Sequence, residues 1–134
     1  MCAAHQRATG EVKVDSAAQA ARKHLAIDIV QSFVAATERG DAAAAMELCT
    51  DDFFYKTHRA TTDSLAAAAD RLRTKTPAPS AVTEELHEEG VDMFVREIVV
   101  KPVPFVTVGV RQEFEVRRHD DGSMKLCRAE YIKQ

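Results

Sequence analysis

The hydrophobic periodicity of the chain changes at residues 76–80, TPAPS. Before this segment, apolar residues recur every three or four positions, which is typical of amphipathic helices; after it, they alternate with polar residues, which is typical of strands. Two prolines in the segment end both patterns. Helices followed by a run of strands predict an α+β fold, with about three N-terminal helices packed on a mostly antiparallel sheet. A chain of 134 residues has the length of one domain.

The first helix is predicted to begin at Asp15 or Ser16, either of which is a good N-cap residue. Residues 1–15 show no periodicity and are predicted to form a flexible arm, so the single domain covers residues 16–134. An apolar stripe at helical spacing follows the cap. Its members are Leu25, Ile29, Val30, Phe33 and Ala36.

Gly40 and Asp41 predict a corner between two helices, because glycine favours the position after a helix and aspartate caps the next one. The second helix is short and rich in alanine, and it ends at Leu48. A short strand is expected over residues 53–57. Thr61 or Thr62 is then expected to cap a third helix.

Four strands are predicted in the second half of the chain, over residues 81–89, 93–101, 106–116 and 124–133. The segment HDDGS, residues 119–123, is a hairpin signal between the last two. In the third of these strands, alternation places Gln112 on the same face as Val110 and Phe114. A polar side chain on an apolar face needs a hydrogen-bond partner, a water molecule or a ligand.

Composition and charge argue against several classes of function. The formal net charge of −3 gives no basic field for nucleic acid or for an anionic membrane. No apolar run approaches the roughly 20 residues that cross a bilayer.

The three cysteines are an odd number without a CxxC pair, which favours a reducing compartment. A cytoplasmic location is predicted, with an organelle reached after removal of a transit peptide as the alternative. No metal site or cofactor is expected.

The string GDAAAAMELCTDDFFYK, residues 40–56, resembles the helix-corner signature of the NTF2-like superfamily. This superfamily includes SnoaL-like cyclases, ketosteroid isomerase, limonene epoxide hydrolase and the association domain of calcium/calmodulin-dependent kinase. The resemblance covers about residues 22–134. It implies a cone-shaped, cystatin-like fold, in which a strongly curved sheet wraps its concave face around a long helix and leaves a pocket at the mouth. One such fold hosts many unrelated activities, so the resemblance leaves the function open.

The resemblance also implies where catalytic groups would lie. The three acid or hydroxyl groups of ketosteroid isomerase would fall at Phe33, Thr57 and Gln112, and the acid of the cyclases at Ala129. None of these residues is an acid or a base at neutral pH. The Arg-x-Asp pair of the epoxide hydrolase would fall at Val95 and Glu97, so its carboxylate is kept without its arginine.

Glu97 is therefore the candidate catalytic acid or base. Two interpretations stay open: a desolvated carboxylate on the concave face, or an acid turned to solvent or toward Arg96 or Lys101. The predicted residues of the pocket share the concave phase of the strands or face it from the first helix. They are Phe33, Tyr55, Met93, Gln112, Phe114, Cys127 and Tyr131.

The outer face of the sheet is predicted to join two copies of the chain in a homodimer, because it mixes apolar residues with opposite charges. The predicted interface residues are Phe94, Ile98, Arg111, Glu113, Arg128 and Glu130. The alternative is a solvated face with cross-strand ion pairs.

Two functions follow from these patterns. The first is a dimerising module whose conical pocket binds a small apolar ligand or a segment of a partner. The second is a SnoaL-like isomerase, cyclase or hydrolase acting on a small hydrophobic substrate through Glu97.

Overall fold

The computed structural model describes residues 2–57 and 59–134, with side chains from residue 16 onward. This part of the chain holds three helices and six strands. The helices are α1 (Cys2–Glu38), α2 (Ala42–Glu47) and α3 (Leu65–Leu72). The strands are β1 (Cys49–Thr57), β2 (Ala60–Thr62), β3 (Ala81–Gly90), β4 (Met93–Val103), β5 (Val106–Arg118) and β6 (Met124–Lys133).

The helix α1 is continuous through Asp15 and Ser16, where the sequence predicts its start. Its backbone is helical from Cys2, so the helix begins well before the predicted cap. The flexibility of residues 1–15 stays a prediction.

The corner between α1 and α2 forms as the sequence predicts. Gly40 adopts a φ of 71°, a left-handed conformation that glycine reaches without a Cβ clash. The amide of Gly40 donates to the Thr37 carbonyl and the amide of Asp41 donates to the Ala36 carbonyl, which is the Schellman arrangement. The Asp41 side chain then accepts from the amide of Ala44 and caps α2. One glycine and one aspartate therefore fix the angle between the two helices.

The third helix begins later than predicted. Thr61 and Thr62 lie in β2, where they pair with Lys56 and Tyr55 of β1. Ser64 caps α3 instead, because its hydroxyl oxygen accepts from the amide of Ala67. The pairing of β2 with β1 outweighs the local capping preference of the threonines.

The described strands form one curved sheet in the order β2-β1-β6-β5-β4-β3. β3, β4, β5 and β6 make an antiparallel meander, as predicted. β1 joins β6 in parallel and β2 extends the sheet beyond it. The α+β prediction is confirmed.

The face of the sheet that packs against α1 is called the inner face here, and the opposite one the outer face. On β5, Val110, Gln112, Phe114 and Val116 are all buried on the inner face, as the alternation predicts. Phe33 of α1 reaches this face, with its ring 6.3 Å from that of Phe114 between centroids. The core therefore lies between the C-terminal half of α1 and the centre of the sheet.

The predicted phase of β4 is wrong. In the register with β5, Phe94 lies opposite Phe114 and Ile98 lies opposite Val110, so both belong to the inner face. Their side chains are 1% and 5% exposed within the core of one chain, so neither is available to a dimer interface. Met93 and Glu97 lie opposite Glu115 and Arg111 on the outer face.

Cys127 lies at a register shift in the pairing of β5 with β6. Glu115 pairs with Arg128 and Val116 pairs with Leu126, which leaves Cys127 as the extra residue of a bulge. Its thiol donates to the Glu115 carbonyl, and the residue lies outside the core cluster. The bulge removes it from the alternation that predicts it in the pocket.

The turn between β5 and β6 contains a glycine, Gly122, whose left-handed backbone conformation leads to a stability prediction. Gly122 has a φ of 86°, with open space where a Cβ would stand, whereas Gly90 has no positive φ. We expect Gly122→Ala to lower the free energy of unfolding by about 1 kcal/mol through left-handed strain alone. Gly90→Ala should change it little. Urea denaturation of both variants checks this, and equal effects would contradict it.

Candidate functional site

A cavity of about 410 Å³ opens between the end of α1, the segment 76–80 and the inner face of the sheet. Ile98, Val100 and Val110 form its sheet wall, and Val34 lies on the helix side. These side chains make the cavity mainly apolar. Its volume falls within the range of small-molecule sites in proteins.

The segment 76–80 is held in place as the wall opposite the sheet. The amide of Thr76 donates to the Thr37 carbonyl at 3.1 Å, and the amide and hydroxyl of Ser80 both donate to the Val99 carbonyl at 2.9 Å. Pro77 and Pro79 restrict the chain between these two anchors. The break in periodicity is thus the segment that closes one side of the cavity.

The polar part of the cavity is formed by Arg96 and Gln112, which are directly opposed on β4 and β5. Arg96 Nε donates to Gln112 Oε1 at 2.8 Å. Gln112 is 4% exposed, and this bond satisfies its buried oxygen. The glutamine that stands out in the valine row is therefore paired with an arginine.

Five aromatic side chains pack together beside this pair. Centroid distances of 5.7 Å for Phe33 with Phe53, 5.6 Å for Tyr55 with Tyr131 and 6.1 Å for Phe114 with Tyr131 link them in tilted and edge-to-face contacts. Tyr131 also lies on the cavity wall. The aromatic cluster fills the centre of the inner face, and the cavity begins where it ends.

Burial sets the protonation of the two tyrosines. It raises the pKa of Tyr131, and the nearby Arg96 charge opposes this effect only in part. Burial also raises the pKa of Tyr55. Both hydroxyls stay neutral at physiological pH, so Tyr131 can donate or accept a hydrogen bond at the cavity but does not supply a charge.

The structure brings two of the predicted pocket residues to the cavity, Gln112 and Tyr131. Phe33, Tyr55 and Phe114 form the buried aromatic cluster beside it. The prediction is wrong for Met93, which lies on the outer face within 3.5 Å of Arg128 Nη2. It is also wrong for Cys127, because of the bulge.

Glu97 does not reach the cavity. It lies on the outer face opposite Arg111, and its Oε1 accepts from Gln134 Nε2 at 3.0 Å. An acid on that face cannot act on a molecule held at Gln112, because the sheet lies between them. The mechanism that uses Glu97 as acid or base in the pocket is therefore contradicted by the phase of β4.

The side chains of Cys49 and Cys127 are both buried, and neither forms a disulfide. Burial raises the pKa of Cys49 to about 12, and burial also raises the pKa of Cys127. A thiol needs a lowered pKa to act as a nucleophile at neutral pH. Both cysteines therefore act as small buried side chains and not as nucleophiles.

Sequence reasoning missed Arg96, together with Glu38 and Lys101 at the cavity. β4 carries apolar residues in both of its phases, and the phase that predicts Phe94 and Ile98 on the outer face would put Arg96 there as well. The sequence does contain one signal for Arg96. Gln112 is the only polar residue in the inner row of β5 between Val106 and Val116, and a buried polar residue in a sheet needs a polar partner on a neighbouring strand. Arg96 is that partner.

Among the described residues, no helix has the length and apolar character needed to cross a membrane. The side chains that the structure describes also include no group of three or more His, Cys, Asp or Glu placed to hold a metal ion.

Solved structures with the same fold are numerous, although no protein-family model and no curated protein matches the chain. An NTF2-like protein with a cystatin-like fold from Novosphingobium aromaticivorans is 19% identical, with a TM-score of 0.61 over 90% of this chain and 88% of that one. A protein from Sphaerobacter thermophilus is 16% identical, with a TM-score of 0.62 over 81% of this chain and 94% of that one.

A ketosteroid isomerase-like protein from Erwinia carotovora atroseptica is 16% identical, with a TM-score of 0.58 over 83% of this chain and 95% of that one. These likenesses confirm the predicted NTF2-like, cystatin-like fold. At such low identity they show the fold alone.

The buried tyrosines give a prediction for alkaline pH. Below their ordinary pKa of 10.0 both tyrosines are protonated in the folded and the unfolded chain, and their contribution to stability is complete. As pH rises above that value, the unfolded chain releases protons that the folded chain retains, so the free energy of unfolding falls. We expect urea denaturation to show this fall, and Tyr131→Phe to make it shallower.

The chain has two tyrosines and no tryptophan, so tyrosine ionisation can be followed by absorbance without overlap from tryptophan. Near-ultraviolet absorbance at pH 10.0 should show that less than half of the tyrosine is ionised while the chain stays folded. Tyrosinate that is half-formed at that pH in the folded protein would contradict the prediction.

Proposed function

We propose that this NTF2-like domain binds a small, largely apolar molecule in the cavity between α1, the segment 76–80 and the inner face of the sheet. The observation that supports this most is an apolar cavity of about 410 Å³ that ends in a small polar group, Arg96 with Gln112. Sites for small molecules combine apolar walls with a few well-placed polar groups.

The cavity favours a small molecule over a segment of a partner protein. Its wall at residues 76–80 is fixed to α1 through Thr37 and to β4 through Val99. Both anchors are backbone hydrogen bonds, and two prolines lie between them. A bound molecule therefore enters a preformed space, which lowers the entropic cost of binding.

A pair of neighbouring valines offers a matched test of this proposal. Val100 lines the cavity, and Val99, the preceding residue on β4, points to the outer face. Val100→Phe should fill the cavity and abolish binding of neutral apolar probes such as indole and octanol. Val99→Phe adds the same group outside and should leave binding intact. Ligand-observed NMR measures both.

The proposal fails if wild-type protein binds neither probe at millimolar concentration, or if both variants bind them equally well. A melting temperature for each variant shows that a loss of binding is not a loss of folding.

We propose in addition that the outer face of the sheet associates with a second copy of the chain. On this face Val99 and Ile132 are partly exposed among charged residues. Of the predicted interface residues, Arg111, Glu113, Arg128 and Glu130 lie on this face.

These charges are already paired within one chain. Arg111 donates to Glu113 at 2.8 Å, and this bond lowers the pKa of Glu113. Arg128 contacts Glu113, Glu115 and Glu130. Pairs satisfied within a chain contribute little between chains, so the apolar residues supply the attraction.

Sedimentation equilibrium tests the association. Ile132→Glu places an acid at a partly exposed apolar position of the outer face, opposite Arg111, and we expect it to raise the monomer fraction. Val91→Glu adds the same charge at a turn residue that is 89% exposed, and it should have no effect. Wild-type protein that sediments as a monomer at micromolar concentration, in low and in high salt, would end the proposal.

A further inference from the structure

The groups that Arg96 and Gln112 present to the cavity are hydrogen-bond donors. Arg96 Nε is engaged with Gln112 Oε1, and among the described residues its two terminal nitrogens make no hydrogen bond or ion pair. Because the amide oxygen of Gln112 accepts that bond, the amide nitrogen is the group left to contact a bound molecule. A molecule bound at this end of the cavity must therefore carry hydrogen-bond acceptors for these nitrogens.

The charge of the lining residues points to an anion. Three charged side chains line the cavity, Glu38, Arg96 and Lys101, which leaves one net positive charge. Glu38 makes no ion pair with Arg96 in the described chain, and the geometry leaves the guanidinium without an internal counter-ion. One negative charge on the bound molecule neutralises the net positive charge of the lining residues. A second negative charge would have no cation to pair with and would be repelled by Glu38.

The shape of the donor set distinguishes a carboxylate from other anions. A guanidinium is a planar fork that matches the two oxygens of a carboxylate with parallel hydrogen bonds. A phosphate monoester carries close to two negative charges at neutral pH and needs more donors than one fork supplies. The apolar walls formed by Ile98, Val100 and Val110 then require an uncharged hydrocarbon body.

We propose that the cavity binds monocarboxylates with an apolar body, and that Arg96 is the residue that selects the carboxylate. This rests on the proposed function of the cavity as a ligand site. The carboxylate lies against the terminal nitrogens of Arg96, the Gln112 amide adds a donor, and the hydrocarbon part extends along the valine and isoleucine wall toward the segment 76–80.

A matched set of probes tests the selection. The set is 4-phenylbutanoate, its primary amide, which has the same shape without the charge, and 3-phenylpropyl phosphate. By isothermal titration calorimetry we expect the acid to bind wild-type protein about tenfold or more tightly than the amide, because a charge-assisted bidentate pair replaces neutral hydrogen bonds. The phosphate should bind more weakly than the acid.

Variants assign the selection to Arg96. Arg96→Met should remove the preference for the acid while the amide still binds, and Arg96→Lys should keep part of it, because the charge stays and the fork is lost. Lys101→Met, which removes the other positive charge of the lining, should keep the preference. If Arg96→Met does not fold, the comparison of acid and amide on wild-type protein still decides the question.

The outcomes separate this inference from the function on which it rests. Equal affinity for acid and amide would overturn the selection of a carboxylate and leave the cavity as a site for apolar molecules. Tighter binding of the phosphate would overturn the class of anion. Failure of all three probes, together with failure of indole and octanol, would overturn the cavity as a ligand site.

Discussion

The packing of α1 against the centre of the inner face is the contact on which the rest of the molecule depends. Phe33 is fully buried between Phe53 and Phe114, and the edge-to-face contacts continue through Tyr131 to Tyr55. Rings in such arrangements exclude water and add a specific geometry to the burial of area. The cluster fixes the distance from helix to sheet, and this distance leaves the cavity open beyond Tyr131.

The Gly40 and Asp41 corner holds that contact in place at the end of α1. Its Schellman bonds use the carbonyls of Ala36 and Thr37, in the helical turn that follows Phe33. The Thr37 carbonyl also accepts from Thr76, so the same turn anchors the segment that closes the cavity. The helix end, the corner and the cavity wall are thus one connected unit, and a shift in any of them changes the shape of the site.

The pairing of Arg96 with Gln112 contributes less to the stability of the fold than two apolar side chains would at the same positions. A pair of apolar side chains opposite each other at this point would bury more area and leave no donor without a partner. A sequence that keeps a charged and an amide side chain on the inner face of a sheet departs from the pattern of its own neighbours, Val110 and Phe114. Such departures concentrate at functional sites, which is why the proposals for the cavity centre on these two residues.

The sequence predicts the features that local chemistry determines. The helix corner follows from two residues with strong conformational preferences, and the burial of Gln112 follows from strict alternation in β5. The phase of β4 does not follow, because Met93, Val95 and Val99 compete with Phe94, Ile98 and Val100 for the core, and only pairing with β5 decides between the two sets. Reversing the phase of β4 moves Glu97 to the outer face and Arg96 to the inner face. The charged residue of β4 at the candidate site is therefore Arg96 and not Glu97. The place of Cys127 depends on a bulge that leaves no mark in the sequence of β6.

The positions at which the resemblance would place catalytic groups agree with a binding site of this kind. Phe33 and Ala129 are fully buried in the core and do not line the cavity, whereas Thr57 does. The resemblance implies that Gln112 stands where the isomerase carries an acid, and here Gln112 Oε1 accepts a hydrogen bond from Arg96 Nε. A neutral acid stabilises an oxyanion that forms during a reaction, whereas a permanent guanidinium favours an anion that is present before any reaction. An amide at Gln112 with Arg96 opposite it therefore supports the proposal that this cavity binds an anion that is present before any reaction.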